Sequence, residues 1–217
     1  AVSATTADDV ALLASWGARA VLVGHGSSAS PLPASPGDGP VTLLAGLGYG
    51  PNRAAARWVL DEVWPRLRAG AGPGLRLRVV GRGAEAAVGT VAPEGVEVVG
   101  DPDDVEPFYR EASVVLAPVT TGGGAQVKVT EALARARVVV ATPFSARSAP
   151  DGAGEGLVVA GDADRFAAAV LALWRDREDR WARERGLAER SPVPTWAAAF
   201  APLADAVEQV LQAPVAQ

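Results

Sequence analysis

Short apolar runs alternate with amphipathic segments along most of this 217-residue chain. Residues 41–45 form an almost continuously apolar run, as expected for a parallel strand that is buried on both faces. A glycine-rich turn follows, and apolar residues then recur at helical spacing from about Asn52 to Leu67. The same pattern predicts further strands at 75–80, 96–99, 113–117, 138–141 and 156–159, and helices at 105–110, 124–136, 166–174, 181–187 and 196–211. This regular alternation predicts an α/β fold with an open, mostly parallel sheet and helices on both faces.

The first forty residues have a different texture. Residues 5–16 predict a short helix that begins at a threonine cap, and residues 21–23 predict a short buried strand. Residues 27–40 are dense in serine, proline and glycine, which is the composition of a linker. The sequence therefore predicts a small unit and a linker ahead of the α/β domain.

Composition excludes several classes of site. Apolar residues make up 49% of the chain and charged residues 21%, as in ordinary soluble globular proteins. A net charge of −5 leaves no general basic face for nucleic acid. The absence of cysteine excludes disulfides, thiolate metal sites and cysteine catalysis, and the single histidine, His25, leaves little for a zinc site or a Ser-His-Asp triad. No apolar run approaches the roughly 20 residues of a membrane span.

The chain contains no methionine, even at position 1, and it opens on Ala1 without the features of a signal peptide. We therefore expect a processed or truncated piece of a longer protein. Heavy use of Ala, Gly, Arg, Pro and Val indicates a bacterial source with a GC-rich genome. The expected location is the cytoplasm, or a membrane surface reached through the missing part.

Two of three glycine-rich loops allow opposing interpretations. The segment Gly81 to Ala86 matches the dinucleotide pattern G-x-G-x-x-A, with Asp101 twenty residues beyond Gly81. Only a short run precedes the helix-breaking Gly89, so a tight turn is the favoured interpretation. In the segment Gly46 to Asn52, Gly48 would let a ligand approach the backbone and Asn52 would cap the next helix, or the glycines would simply permit a turn.

The third loop, Thr121 to Glu131, contains Gly122, Gly123 and Gly124 and the chain's one lysine among 20 positive side chains, Lys128. A helix starting near Gly124 would present unpaired N–H groups and a partial positive charge to an anion. Lys128 and Glu131 lie three residues apart on one helical face. Lys128 would then contact phosphate and Glu131 would accept hydrogen bonds from ribose hydroxyls. The alternative is a surface Lys–Glu pair of about 0.2–0.5 kcal/mol.

Segments along nearly the whole chain carry a resemblance to a known family through their order and spacing. They are Gly46 to Asn52, Trp58 with Glu62 to Pro65, Val79 to Gly83, Val98 to Val105, Val115 to Pro118 and Gly122 to Ala132. The sequence resembles the C-terminal, donor-binding domain of retaining GT-B glycosyltransferases, the glycosyl transferases group 1 family. This resemblance implies that residues 1–38 are a remnant of the N-terminal domain with the interdomain linker. It also implies that 39–195 form a Rossmann-like nucleotide-sugar-binding domain, followed by a C-terminal helix at 196–217.

The resemblance also implies a site. Glu131 matches the second glutamate of the family's E-x7-E motif, which holds the donor ribose, whereas Gly123 stands where the first glutamate belongs. Lys128 and Glu131 are the implied catalytic residues, and the base is expected against the segment Gly100 to Asp103. The implied donor-binding residues are Gly48, Tyr49, Gly100, Asp101, Pro102, Thr121, Gly122, Gly123, Gly124, Gln126, Lys128 and Glu131.

The function implied is transfer of a sugar from a nucleotide-diphosphate donor to an acceptor with retention of configuration. No metal or other cofactor is expected, and the acceptor-activating base would come from the missing N-terminal domain. This chain alone is therefore expected to bind a nucleotide sugar without transferring the sugar, and His25 is expected to be a linker residue. The alternatives are a nucleotide-binding module whose catalysis has decayed and a sugar-nucleotide epimerase of similar fold.

Overall fold

The computed structural model of the chain describes residues 2–89 and 91–212. Its strands are β1 (Val2–Ala4), β2 (Ala20–Leu22), β3 (Val41–Leu44), β4 (Leu77–Val80), β5 (Val96–Val99), β6 (Val114–Ala117), β7 (Val139–Ala141) and β8 (Leu157–Val159). Its α-helices are α1 (Ala7–Ser15), α2 (Gly50–Trp58), α3 (Trp64–Ala71), α4 (Ala84–Val88), α5 (Glu106–Glu111), α6 (Val127–Ala134), α7 (Pro143–Ala146), α8 (Ala163–Arg175), α9 (Arg177–Arg190) and α10 (Trp196–Gln212). None of the helices in these residues is both long and apolar enough to cross a bilayer.

Six parallel strands form the main sheet, in the order β5-β4-β3-β6-β7-β8. The chain enters at the centre with β3 and builds outward to β5. It then returns to the centre with β6 and builds outward in the other direction. β3 and β6 therefore flank a topological switch point, where open α/β sheets bind their ligands. The predicted α/β class is confirmed, and each of the six strands predicted for the domain occurs.

Apolar side chains cover both faces of this sheet. Leu43 and Leu44 are consecutive residues of β3, yet they belong to different core clusters. The cluster of Leu43 includes Phe166 of α8, whose ring meets that of Trp58 edge to face with centroids 5.3 Å apart. The cluster of Leu44 includes Leu133 of α6. Burial on both sides explains why β6 and β7 are continuous apolar runs rather than alternating ones, whereas β4 and β5 each include a charged residue.

The long helix after β3 contains a proline. A π-helical turn at Val59–Val63 joins α2 to α3, and in it the N–H of Trp64 donates to the carbonyl of Val59. The helix then continues through Pro65 to Ala71, beyond its predicted end. Proline cannot donate a backbone hydrogen bond, so the wider turn lets the helix pass it without stopping.

Buried charges fix the linker to the sheet domain. Arg180 donates from Nε to the hydroxyl of Ser35 at 3.0 Å and from Nη2 to the carbonyl of Pro36 at 2.9 Å. Arg137 donates to the carbonyl of Pro33 at 2.8 Å, and Glu184 accepts from the N–H of Ser35 at 2.8 Å. The two guanidinium groups and the carboxylate are almost fully buried. Burial raises the pKa of Glu184. This group of Arg137, Arg180 and Glu184, called the linker clamp below, holds part of a segment whose composition predicted a linker.

A small unit stands beside the main sheet. β1 and β2 pair in parallel and are joined by α1, whose Thr6 cap accepts from the N–H of Asp9. Helix α10 contacts β2. The division of the chain at residues 38 and 195 stays a prediction. Residues 213–217 of the predicted C-terminal segment lie outside the described residues.

The turn after β4 brings two backbones close together. Gly81 has φ +127°, and a Cβ built on it would lie 2.1 Å from the carbonyl oxygen of Ala45. Gly83 caps α4 in the left-handed region, and α4 ends after five residues. The tight-turn interpretation is confirmed, and the helix that dinucleotide binding requires is absent from this loop.

Gly81→Ala should lower the free energy of unfolding by about 3 kcal/mol, because the new methyl group collides with a backbone oxygen. Gly89→Ala is the matched control, since Gly89 also has a positive φ, +102°, and a Cβ there meets nothing within 4 Å. We expect a loss of about 1–2 kcal/mol for the control. Urea denaturation of both variants measures the difference, and equal losses would contradict the close approach.

Candidate functional site

A cavity of about 550 Å³ opens at the switch point between β3 and β6. Its size is in the range of sites that enclose a small molecule. The loops that follow β3, β4, β5 and β6 supply its walls together with the first turns of α6. The lining residues are Leu44, Ala45, Gly46, Tyr49, Asn52, Val80, Gly81, Arg82, Asp101, Pro102, Val105, Tyr109, Gly123, Ala125, Gln126, Val127, Lys128 and Glu131. We refer to it as the switch-point cavity.

The structure brings together most of the residues that the sequence singled out. The predicted site residues that line the switch-point cavity are Tyr49, Asp101, Pro102, Gly123, Gln126, Lys128 and Glu131. The predicted residues outside its lining are Gly48, Gly100, Thr121, Gly122 and Gly124. Gly124 lines a neighbouring cavity of about 260 Å³ instead. Gly48 donates its N–H to the carbonyl of Arg82 at 3.2 Å, and the carbonyl of Gly100 accepts from Gly81 at 3.0 Å, so both brace the loops. The binding roles of all twelve stay predictions.

The ammonium of Lys128 is held by two amide oxygens. Its Nζ donates to Oε1 of Gln126 at 2.8 Å and to Oδ1 of Asn52 at 3.1 Å. Within the described part of the chain it has no ion-pair partner, and burial lowers its pKa to about 8. Lys128 is therefore a largely enclosed positive charge that faces neutral acceptors only.

Glu131 is occupied by another partner, so the predicted alternative of a Lys128–Glu131 pair is wrong. The carboxylate Oε2 of Glu131 accepts from Nη1 of Arg135, one helical turn later on α6. Arg135 also donates to Oε2 of Glu106 at 2.8 Å, and its guanidinium lies over the ring of Tyr109 at 4.7 Å from the centroid. Burial raises the pKa of the Tyr109 phenol above its usual range. Because Arg135 pairs with the carboxylate of Glu131, the ammonium of Lys128 remains available to a ligand in the cavity.

Helix α6 begins three residues later than predicted. Its first residue is Val127 rather than Gly124, because the N–H of Gln126 donates to the hydroxyl of Ser148 at 2.7 Å and Gln126 keeps a non-helical backbone. Gly124 has φ +72°, which a helix excludes. The first turn of α6 nevertheless lies at the cavity, since both Val127 and Lys128 line it.

Asn52 has a role that the sequence did not predict. The N-cap of α2 is Tyr49, so the predicted capping role of Asn52 is wrong. Asn52 lies in the first turn of α2, where its Nδ2 donates to the carbonyl of Gly46 at 3.0 Å and its Oδ1 accepts from Lys128. One side chain therefore joins the loop after β3 to the helix after β6. The sequence signal for this residue was its place in the glycine-rich segment Gly46 to Asn52.

Residues of the linker also reach the site. The Nε2 of His25 lies 3.6 Å from Oε1 of Glu131, and the hydroxyl of Ser27 lies 3.4 Å from the same oxygen. The assignment of His25 to the interdomain linker stays a prediction, and nothing in the sequence indicated its contact with Glu131. No metal-binding cluster of three or more His, Cys, Asp or Glu side chains occurs in residues 2–89 and 91–212.

Several solved structures have a fold similar to that of this chain. Sucrose-phosphate synthase from Thermosynechococcus elongatus superposes with a TM-score of 0.73 at 19% identity, over 98% of this chain and 58% of its own. Anabaena HepE, solved with UDP and glucose, gives 0.72 at 14% identity, over 95% of this chain and 62% of its own. The pneumococcal O-GlcNAc transferase GtfA, solved with UDP and GlcNAc, gives 0.70 at 15% identity, over 98% of this chain and 45% of its own.

This chain thus spans less than two thirds of the length of each of these proteins. At such low identity the superpositions establish the fold alone, the Rossmann-like half of a GT-B structure. No curated protein sequence matches significantly. Residues 39–176, more than half of the chain, match the family model described as glycosyl transferases group 1. The chain belongs to the glycosyl transferases group 1 family.

Proposed function

We propose that this chain binds the nucleotide-sugar donor of a retaining glycosyltransferase, as the C-terminal half of a two-domain enzyme. The observation that carries the proposal is the ammonium of Lys128, which lies in the switch-point cavity without an ion-pair partner among the described residues. Removing an ammonium from water costs free energy, and two amide oxygens compensate for only part of that cost. An anionic ligand beside Nζ supplies the missing charge.

A ligand of this cavity needs a second kind of group besides an anion. Glu131 lines the same wall one turn beyond Lys128. A carboxylate accepts hydrogen bonds and donates none, so the group that faces it is a hydroxyl or another donor. Anionic and hydroxyl groups this close together are the chemistry of a phosphorylated sugar. The diphosphate and ribose of a nucleotide meet both requirements.

Another part of the cavity lining suits a base. Val80, Val105 and Tyr109 give it apolar surface, and Asp101 and Pro102 close it at the end of β5. The apolar surface can pack against a planar ring, and the backbone groups of the segment can pair with its edge. Two of the similar structures were solved with UDP, which supports a nucleotide in this fold.

The chemistry assigned to this half is stabilisation of the departing nucleoside diphosphate. Lys128 and the first turn of α6 are fixed before negative charge develops on the leaving oxygen, so little reorganisation is needed during reaction. The base that activates the acceptor belongs to the other half of the enzyme. The chain alone therefore binds the donor and does not transfer its sugar.

One observation favours the second candidate, a nucleotide-binding module without transferase activity. Gly123 lines the cavity where the family's first glutamate is expected, and a Cβ there would meet nothing within 4 Å. No carboxylate from this position reaches the transferred sugar. Gly123→Glu would restore the side chain without a clash. A rise in affinity for UDP-sugars over UDP would support the transferase, and an unchanged ratio would favour the module.

The first prediction concerns nucleotide affinity. Calorimetric titration with UDP, GDP and ADP should show binding of at least one, and Lys128→Ala should weaken it by about 1–3 kcal/mol, because a charge-assisted phosphate contact is lost. Arg185→Ala is the control, since this exposed residue of α9 removes the same charge outside the cavity lining. Because Lys128 supplies the positive charge, EDTA should leave the affinity unchanged. The absence of binding at millimolar nucleotide contradicts the proposal.

The second prediction concerns pH. The pKa of Lys128 is about 8, so the ammonium loses its proton as the pH rises through that value. Affinity should be nearly constant between about pH 7 and 8 and then fall by up to about tenfold per pH unit. The terminal phosphate, with a second pKa near 6, stays ionised throughout. Lys128→Gln should bind weakly with no such slope. A wild-type profile that is flat to about pH 9.5 is the contrary outcome.

The third prediction concerns stability. The pKa of Lys128 is lowered in the folded chain, so between about pH 8 and the unfolded value of 10.5 the unfolded state binds more protons. The contribution of Lys128 to the free energy of unfolding therefore rises with pH in that window. Lys128→Met should raise the free energy of unfolding at neutral pH by about 1 kcal/mol while weakening nucleotide binding. Urea denaturation measures this, and a destabilised variant would argue that the lysine is structural.

A further inference from the structure

Two residues of the linker approach the carboxylate of Glu131 from outside the cavity lining. His25 places Nε2 at 3.6 Å from Oε1, and Ser27 donates its hydroxyl to the same oxygen at 3.4 Å. The other oxygen, Oε2, is paired with Arg135. The two oxygens of Glu131 therefore face different surroundings: Oε2 has a partner on its own helix, and Oε1 has two neighbours on the linker.

The linker is itself held in place at this point. Gly26 lies so close to α10 that a Cβ would stand 2.7 Å from the backbone of Trp196. The N–H of Ser27 donates to the carbonyl of Pro194 at 3.0 Å. The imidazole of His25 meets the Trp196 ring nearly edge-on, with centroids 4.6 Å apart. Residues 25–27 thus form a rigid bracket between α10 and Glu131.

The contact of His25 with Trp196 has a different effect from the approach of His25 and Ser27 to Glu131. Packing between His25 and Trp196 would fix the linker whether or not Glu131 existed. The two polar groups near Oε1 have no such structural necessity, because the carboxylate is already paired with Arg135 through Oε2. Their shared target is the oxygen on the side of Glu131 away from Arg135. Their effect is to fix the rotation of the carboxylate and so the direction of its lone pairs.

We propose that His25 and Ser27 are positioning residues for Glu131, and that through them the linker sets how tightly the ribose hydroxyls of the donor are bound. The inference rests on the proposed function, since it takes a ribose as the partner of Glu131. It predicts a specific signature. Loss of the bracket weakens recognition of the hydroxyls while leaving the phosphate contact of Lys128 intact.

The test uses whichever of UDP, GDP and ADP binds to the chain. Calorimetry compares the affinity for each such nucleotide with the affinity for its 2′,3′-dideoxy analogue. In the wild-type chain the dideoxy analogue should bind at least about tenfold more weakly, as expected for lost hydrogen bonds to a charged group. In the double variant His25→Phe/Ser27→Ala this ratio should fall to about threefold or less, toward that of Glu131→Gln. Affinity for the dideoxy analogue itself should change by less than about twofold.

His25→Phe keeps the aromatic contact with Trp196 and removes the ring nitrogens. Ser28→Ala is the matched control for Ser27→Ala, because Ser28 is the next residue and is exposed. It should keep the wild-type ratio. Equal weakening of both ligands in the double variant would mean a merely structural role and overturn the inference. An unchanged ratio in the double variant, with a collapsed ratio in Glu131→Gln, would overturn it as well.

A second measurement needs no substitution. The chain has one histidine, so a single set of imidazole NMR signals reports on His25. Saturating nucleotide should shift these signals more than the saturating dideoxy analogue does, and equal shifts would contradict the inference. Nucleotide binding without any ribose discrimination would overturn this inference and leave the proposed function standing. No nucleotide binding at all would remove both.

Discussion

The arrangement of the site depends on the linker clamp, in which two arginines and a glutamate are buried with the backbone of residues 33–37. Arg137 and Arg180 are fully buried, and their donors go mainly to linker and helix-end carbonyls. Removing one partner of such a group leaves an uncompensated charge, which typically costs about 3–5 kcal/mol. The clamp therefore fixes where the chain enters β3 at the centre of the sheet.

The strands of the sheet could be predicted from the sequence because apolar side chains cover both of its faces. Strands β6 and β7 are local runs of apolar residues, and β4 and β5 have three apolar residues out of four, so each could be recognised without knowledge of its neighbours. The first residue of α6 could not be predicted from a local pattern. Gln126 has an ordinary helical propensity, and what keeps it outside the helix is a hydroxyl of Ser148, 22 residues away along the chain. Local patterns carry no information about such a partner.

The same limit applies to the candidate site. Lys128 and Glu131 could be identified because a glycine-rich loop precedes them and one lysine stands among nineteen arginines. The partners that decide their behaviour are distant. Asn52 is 76 residues from Lys128 and Ser27 is 104 residues from Glu131. Arg135 is near in sequence, but the competition between an arginine and a lysine for one carboxylate depends on side-chain geometry that helical spacing does not determine.

The lowered pKa of Lys128 has a chemical consequence that is separate from charge. With a pKa of about 8, roughly half of these side chains carry a neutral amine at pH 8. A neutral amine is a nucleophile, whereas arginine side chains stay protonated throughout this range. In its neutral form, the residue that gives the cavity its positive charge is therefore a nucleophilic amine. Inside the cavity, the neutral amine of Lys128 would therefore attack an electrophilic phosphate analogue and bind it covalently. Bound phosphate would suppress this reaction, because it stabilises the protonated form of the side chain.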